Sequence, residues 1–291
     1  MNDRTRDPHL DSLLPKVPFS RRGFMASSVA AGFALSVQPV VAQTMIRTDT
    51  QGLTAGDIKI PTADGSIPGY FARPATGDRF PVVLVAPEIW GAHEHIKDVA
   101  RRLAKAGYLA VVPEVYARQG DPQKAPDIQA VLKIANAKPD TQEMSDFDAA
   151  LAWAVKEGRG DPKRVAITGF CRGGRTTWMY SAHNPSLKAG VAWYGPVAGK
   201  PSDLMPKNPL DVAADINVPV LGLYGGADQG IPNDTVDRMY AALKSRNKPS
   251  EIIIYEGMPH AFHADYRPSY RKETAEDAWK RMLAWFKKHG V

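Results

Sequence analysis

The chain has 291 residues, 44% of them hydrophobic and 9% aromatic, which is enough apolar side chain for one large globular core. Its 37 Lys and Arg outnumber 31 Asp and Glu, but this excess of +6 is spread along the chain without a basic run of five, which sets nucleic-acid binding aside. The single cysteine, Cys171, excludes an internal disulfide.

Near its start the chain carries Ser20-Arg21-Arg22-Gly23-Phe24-Met25, which resembles a twin-arginine export signal. Ala26 to Val37 is a mild Ala/Ser/Gly-rich apolar stretch, too short and too weak for a membrane span. Pro39 ends it, and Val40-Val41-Ala42 suits cleavage after Ala42. Residues 1–42 therefore read as a removable leader. It would take the chain through the twin-arginine machinery to the periplasm or beyond, with no stable membrane anchor. Residues 43–56 carry no pattern and read as a linker, leaving 57–291 as the folded domain.

Within that domain, Asp57–Pro61 and Ile67–Ala72 flank Ala63-Asp64-Gly65 as a hairpin. Pro81 to Ala86 is a continuous apolar strand, as a sheet covered on both faces requires. Ile96, Val99, Ala100, Leu103 and Ala104 have helical spacing, ended by Gly107, and Leu109–Val112 is the next strand. Residues 122–138 are ambiguous, with Ile128, Val131, Leu132 and Ile134 suggesting a helix bounded by Pro126 and Pro139, and Asp146–Val155 reads as another. Strands at Val165–Thr168, Ala189–Tyr194, Val218–Tyr224 and Ile252–Tyr255 alternate with helices over Thr177–His183, Val236–Leu243 and Thr274–Lys287. The alternation predicts a mostly parallel, doubly wound α/β sheet with helices on both faces and an antiparallel edge.

The densest chemical signal is Gly169-Phe170-Cys171-Arg172-Gly173-Gly174, between a strand and a helix. Glycines two before and two after a nucleophile form the elbow that presents it on a sharp turn. Two more residues follow strands: Asp228 in Gly225-Gly226-Ala227-Asp228, and His260 in Pro259-His260-Ala261-Phe262. Taken singly, each has a plain reading: a buried small residue, a turn aspartate, a loop histidine. The order nucleophile, acid, histidine is that of the α/β-hydrolase fold. It makes Cys171 a candidate nucleophile, His260 its general base and Asp228 the group that orients His260. The N–H groups of Ile89 and Arg172 are the expected oxyanion hole. His93-Glu94-His95 and His260…His263 match no zinc spacing, and no phosphate-binding glycine loop occurs, so neither metal nor cofactor is expected.

The G-F-C-R-G-G, G-G-A-D and P-H-A-F segments resemble those of the dienelactone hydrolase (carboxymethylenebutenolidase) family. Pro87-Glu88-Ile89-Trp90-Gly91 and Pro113-Glu114-Val115-Tyr116-Ala117-Arg118-Gln119 resemble it too, and the likeness runs from about Ile58 to the C-terminus. The resemblance implies an α/β-hydrolase cleaving small esters or lactones without a cofactor. It also implies that Glu88 contacts the cysteine and takes its proton once substrate arrives. Arg118 and Arg267 are candidates to hold a carboxylate on the substrate. The arginine that such enzymes carry four residues after the histidine is Ala264 here, and no arginine lies between Arg118 and Arg159. The alternatives are a thioesterase or acyltransferase on the same scaffold, and a binding protein that keeps the fold without catalysis.

Overall fold

The computed structural model describes residues 45–291, so the leader expected over residues 1–42 lies outside the described residues. β1 (Leu53–Thr62) and β2 (Gly65–Pro74) form the expected hairpin, paired antiparallel from Leu53↔Pro74 to Thr62↔Gly65. The domain therefore starts earlier than Asp57. Leu53 and Ala55 pack on the core, and the Thr48 N–H donates to Asp98 at 2.6 Å. The expected linker is tied down by partners far away in sequence, which local patterning cannot reveal.

β3 (Phe80–Ala86), β4 (Leu109–Pro113), β5 (Gly160–Phe170), β6 (Ala189–Trp193), β7 (Val220–Gly225) and β8 (Glu251–Tyr255) complete one sheet of order β1-β2-β4-β3-β5-β6-β7-β8. β2 runs antiparallel to β4, and all pairs from β4 to β8 are parallel. Parallel strands need crossovers, and these are α1 (Glu94–Lys105), α2 (Ile128–Asn136), α3 (Asp140–Lys156), α4 (Arg172–His183) and α5 (Asn233–Ser245), with α6 (Lys272–Lys288) closing the chain. The step β3 to β4 moves one way along the sheet, and those through β5 to β8 move the other way. Right-handed crossovers therefore put α1 on one face and α3, α4 and α5 on the opposite face. α6 joins the α1 face, where Phe286 meets Tyr108 at 5.9 Å between ring centroids. With both faces covered, Val82 to Ala86 and Leu109 to Val112 are fully buried, which explains their unbroken apolar runs.

α3 begins six residues before the expected start, at Asp140. Its first turn carries the buried acids Asp140 and Glu143, which mask the apolar period. Asp140 holds Arg175 through bonds of 2.7 and 2.8 Å. The strand order reverses between β3 and β5. The crevice at the carboxyl ends of those two strands is where sheets of this kind place their ligands.

Candidate active site

Glu88 follows the end of β3, Cys171 that of β5, Asp228 that of β7 and His260 that of β8. Residues that follow four separate strands by one to five positions thus gather at one edge of the sheet.

Cys171 sits at φ 54°, ψ −117°, a left-handed conformation costing a non-glycine residue about 1–3 kcal/mol. Tight packing holds it there. A Cβ on Gly169 would lie 2.1 Å from the Gly173 carbonyl oxygen, and one on Gly173 would lie 2.1 Å from that of Ala86. These two glycines are required for space rather than for unusual dihedral angles. The Cys171 N–H donates to the Trp193 carbonyl at 3.0 Å, tying the turn to β6. The sulfur is buried, at 2% exposure for the residue.

His260 Nδ1 lies 2.6 Å from Asp228 Oδ2. The other carboxylate oxygen accepts from the N–H groups of Gly230 and Ile231 at 2.8 and 3.1 Å, so Asp228 cannot turn away. This leaves Nε2 of His260 for Cys171. Burial disfavours the imidazolium, but the charge and side-chain bond of Cys171, together with Asp228, outweigh it and raise the His260 pKa to about 10. A protonated His260 facing the sulfur stabilises negative charge there, the form in which a thiol is nucleophilic.

Glu88 is buried, and its Oε2 accepts from the Tyr266 hydroxyl at 2.5 Å and lies 3.1 Å from His93 Nε2. Burial opposes its ionisation, but the His93 bond and the Arg267 charge win and hold the carboxyl below its usual range. Burial also pushes His93 down, against Glu88, so a neutral imidazole donates to the carboxylate. Tyr266 and His93 thus hold the Glu88 carboxylate in place. The Glu88 loop is braced by Glu114, which accepts from the Ala92 N–H at 2.7 Å and the Tyr116 N–H at 3.2 Å. Gly91, at φ +71°, leaves room for that carboxylate, since a Cβ there would lie 2.4 Å from it. The loop bonds Gly91 N–H to Glu88 O and His93 N–H to Gly91 O do not use the Ile89 N–H, the donor expected to pair with that of Arg172.

Arg267 is near the site. Its Nε donates to the Tyr266 hydroxyl at 3.1 Å, and its guanidinium lies 6.0 Å from the Trp90 ring centroid. Arg118 is elsewhere engaged. Nε and Nη2 donate to Asp64 at 2.6 and 2.7 Å, and Nη1 to both oxygens of Asp146 at 3.0 Å. That guanidinium bolts the first hairpin to α3, and its expected role in substrate binding is withdrawn.

Two further histidines near the site have structural partners: His95 Nδ1 lies 3.2 Å from Asp265, and His263 stacks on Trp279 and Phe170. The sequence reading missed His93, Tyr266 and Glu114. Only Glu114 carried a signal, its place at the end of an apolar strand.

A cysteine at a strained elbow, a histidine bonded to a fixed aspartate and a buried glutamate beside an arginine form an arrangement that could accept an acyl group on sulfur. Residues 67–290 match the model of the dienelactone hydrolase family. The chain belongs to the dienelactone hydrolase family. Similar to it is a protein of Methylorubrum extorquens named "Putative carboxymethylenebutenolidase", 58% identical over 286 residues that cover 98% of each chain. An Escherichia coli K12 protein of the same name is 50% identical over 268 residues, 91% of this chain and 98% of its own. The crystal structure of a "Putative Dienelactone Hydrolase" from Klebsiella pneumoniae subsp. pneumoniae is also similar, with a TM-score of 0.79 and 50% identity. It covers 81% of this chain and 99% of the other. The α/β-hydrolase fold and the hydrolase class expected from the sequence hold for this family member.

Proposed function

We propose that this dienelactone hydrolase family member cleaves small esters or lactones, including carboxylate-bearing ones, through Cys171, His260 and Asp228. The observation that carries this reading is the Asp228–His260 pair at 2.6 Å beside the strained, buried Cys171. In acylation the sulfur attacks the carbonyl carbon, and the N–H groups of Ile89 and Arg172 receive the negative charge on its oxygen. His260 gives its proton to the leaving alkoxide, and the acyl group stays on sulfur as a thioester. Water then attacks with His260 as base, and the acid leaves as sulfur regains its electron pair.

Glu88 is the second carboxylate of the site. Freed from Tyr266, it would accept the thiol proton in an encounter where Cys171 is still protonated. Arg267, charged and with its Nε bonded to the Tyr266 hydroxyl rather than to a carboxylate, is the proposed carboxylate contact. The twin-arginine motif supports export, with the mature protein acting in the periplasm or outside. The test is hydrolysis of p-nitrophenyl esters and simple lactones by the mature protein. Cys171→Ala should lose this activity while keeping the wild-type circular dichroism spectrum, and Cys171→Ser should keep only a small fraction. Full activity in Cys171→Ala rejects the mechanism.

A further inference from the structure

With Arg118 committed elsewhere, a different guanidinium stands free of carboxylates close to the nucleophile. Arg172 follows Cys171 directly, and its side chain reaches toward α2 and the segment carrying Met205. Its Nη1 lies 3.4 Å from Asn136 Oδ1, a long hydrogen bond, and Nη2 meets the thioether of Met205, a weak acceptor. Its Nε is buried without an acceptor among the described residues. The neighbouring cations are neutralised instead, Lys138 by Glu143 and Arg175 by Asp140. These five side chains therefore carry one unmatched positive charge, on Arg172.

A second donor lies in the same neighbourhood. The hydroxyl of Tyr116 is buried with no hydrogen-bond partner among the described residues. Thr176 Oγ1 lies 3.2 Å from the Arg172 carbonyl oxygen and 2.9 Å from Glu143, the partner of Lys138, which links the Arg172 turn to the Tyr116 side. Lys138 lies 5.3 Å from the centroid of the Tyr116 ring, adding positive potential on that side. A buried guanidinium nitrogen and a buried hydroxyl, both donors and neither satisfied, are complementary to an anionic oxygen acceptor.

Resting on the hydrolase reading above, we propose that the side chains of Arg172 and Tyr116 bind a carboxylate on the substrate away from the scissile carbonyl. Arg172 then serves twice, its N–H toward the oxyanion and its guanidinium toward the distant carboxylate. This makes it a determinant of which esters are cleaved.

The test compares two p-nitrophenyl esters of equal acyl length, the hemiester of glutaric acid and the neutral valerate. The ratio of their kcat/KM values, anionic over neutral, should fall roughly 10- to 100-fold in Arg172→Gln, mainly through KM. Arg172→Lys should recover part of it, and Tyr116→Phe should lower it by a smaller factor. A purely structural Arg172 would reduce both esters together and leave the ratio unchanged, and that result overturns the proposal. Calorimetric binding of monomethyl glutarate to Cys171→Ala separates this inference from the mechanism. Binding that weakens tenfold on adding Arg172→Gln supports the anion site even if no ester is turned over. Binding that is absent, or indifferent to Arg172→Gln, overturns it even if esters are hydrolysed.

Discussion

The charge state of His260 has a measurable consequence. Its folded pKa, about 10, lies above the ordinary 6.5. The imidazolium therefore contributes stability that is fully present below about pH 6.5 and is lost as the pH rises through about 10. If acylation needs the proton on His260, kcat/KM should fall on the alkaline side near pH 10, after correction for spontaneous hydrolysis. Asp228→Asn removes one of the interactions that raise this pKa, so its alkaline limb should move to lower pH and turnover should drop roughly 100-fold or more. An unmoved limb would assign it to another group. The meeting of Cys171, Asp228 and His260 was legible in the sequence because each follows an apolar strand by a residue or a short turn. The partners of Glu88 were not legible. Tyr266 comes from a loop 178 residues away, and nothing local marks it as a donor. Arg118 misled because position at a strand's carboxyl end does not say where five guanidinium donors point. Only the fold brings Asp64 and Asp146 to it.

Among the elements, the β5–α4 elbow depends on close approach. Gly173→Ala would drive a methyl group into the carbonyl oxygens of Ala86 and Pro87, at 2.1 and 2.8 Å. Both are backbone atoms of the β3 end that carries Glu88, so relief must move the site itself. A loss of about 3 kcal/mol or more is expected, or roughly 6–12 °C in melting temperature, together with lost activity. A variant with wild-type melting and turnover would show that the elbow tolerates a side chain. Strand cores were the most readable elements, since burial on both faces leaves nothing polar to confuse them. Ends were less readable. α4 starts at Arg172 rather than near Thr177, because its first turn is the glycine-rich elbow and has no apolar period. β1 reaches back to Leu53 because pairing with β2, not composition, extends it.

For the whole molecule, the reversal of strand order between β3 and β5 explains why residues from four strands converge on one crevice. It also explains why the class of fold could be read from the alternation of strands and helices, whereas the neighbours of each site residue could not. The proposed export is a property of the full chain and is tested on it. Changing both Arg21 and Arg22 to Lys should leave precursor in the cytoplasm, seen as an uncleaved band in fractionated cells. Normal delivery of that variant would point to another route. The most direct test of the central proposal is to find the acyl group in mid-reaction. The mature protein is mixed with p-nitrophenyl acetate, quenched in acid within the first turnover and digested for mass spectrometry. An acetyl group on the peptide containing Cys171, formed with a burst of nitrophenolate and absent in Cys171→Ala, is the expected result. An adduct on a different residue, or an undiminished burst in Cys171→Ala, would contradict it.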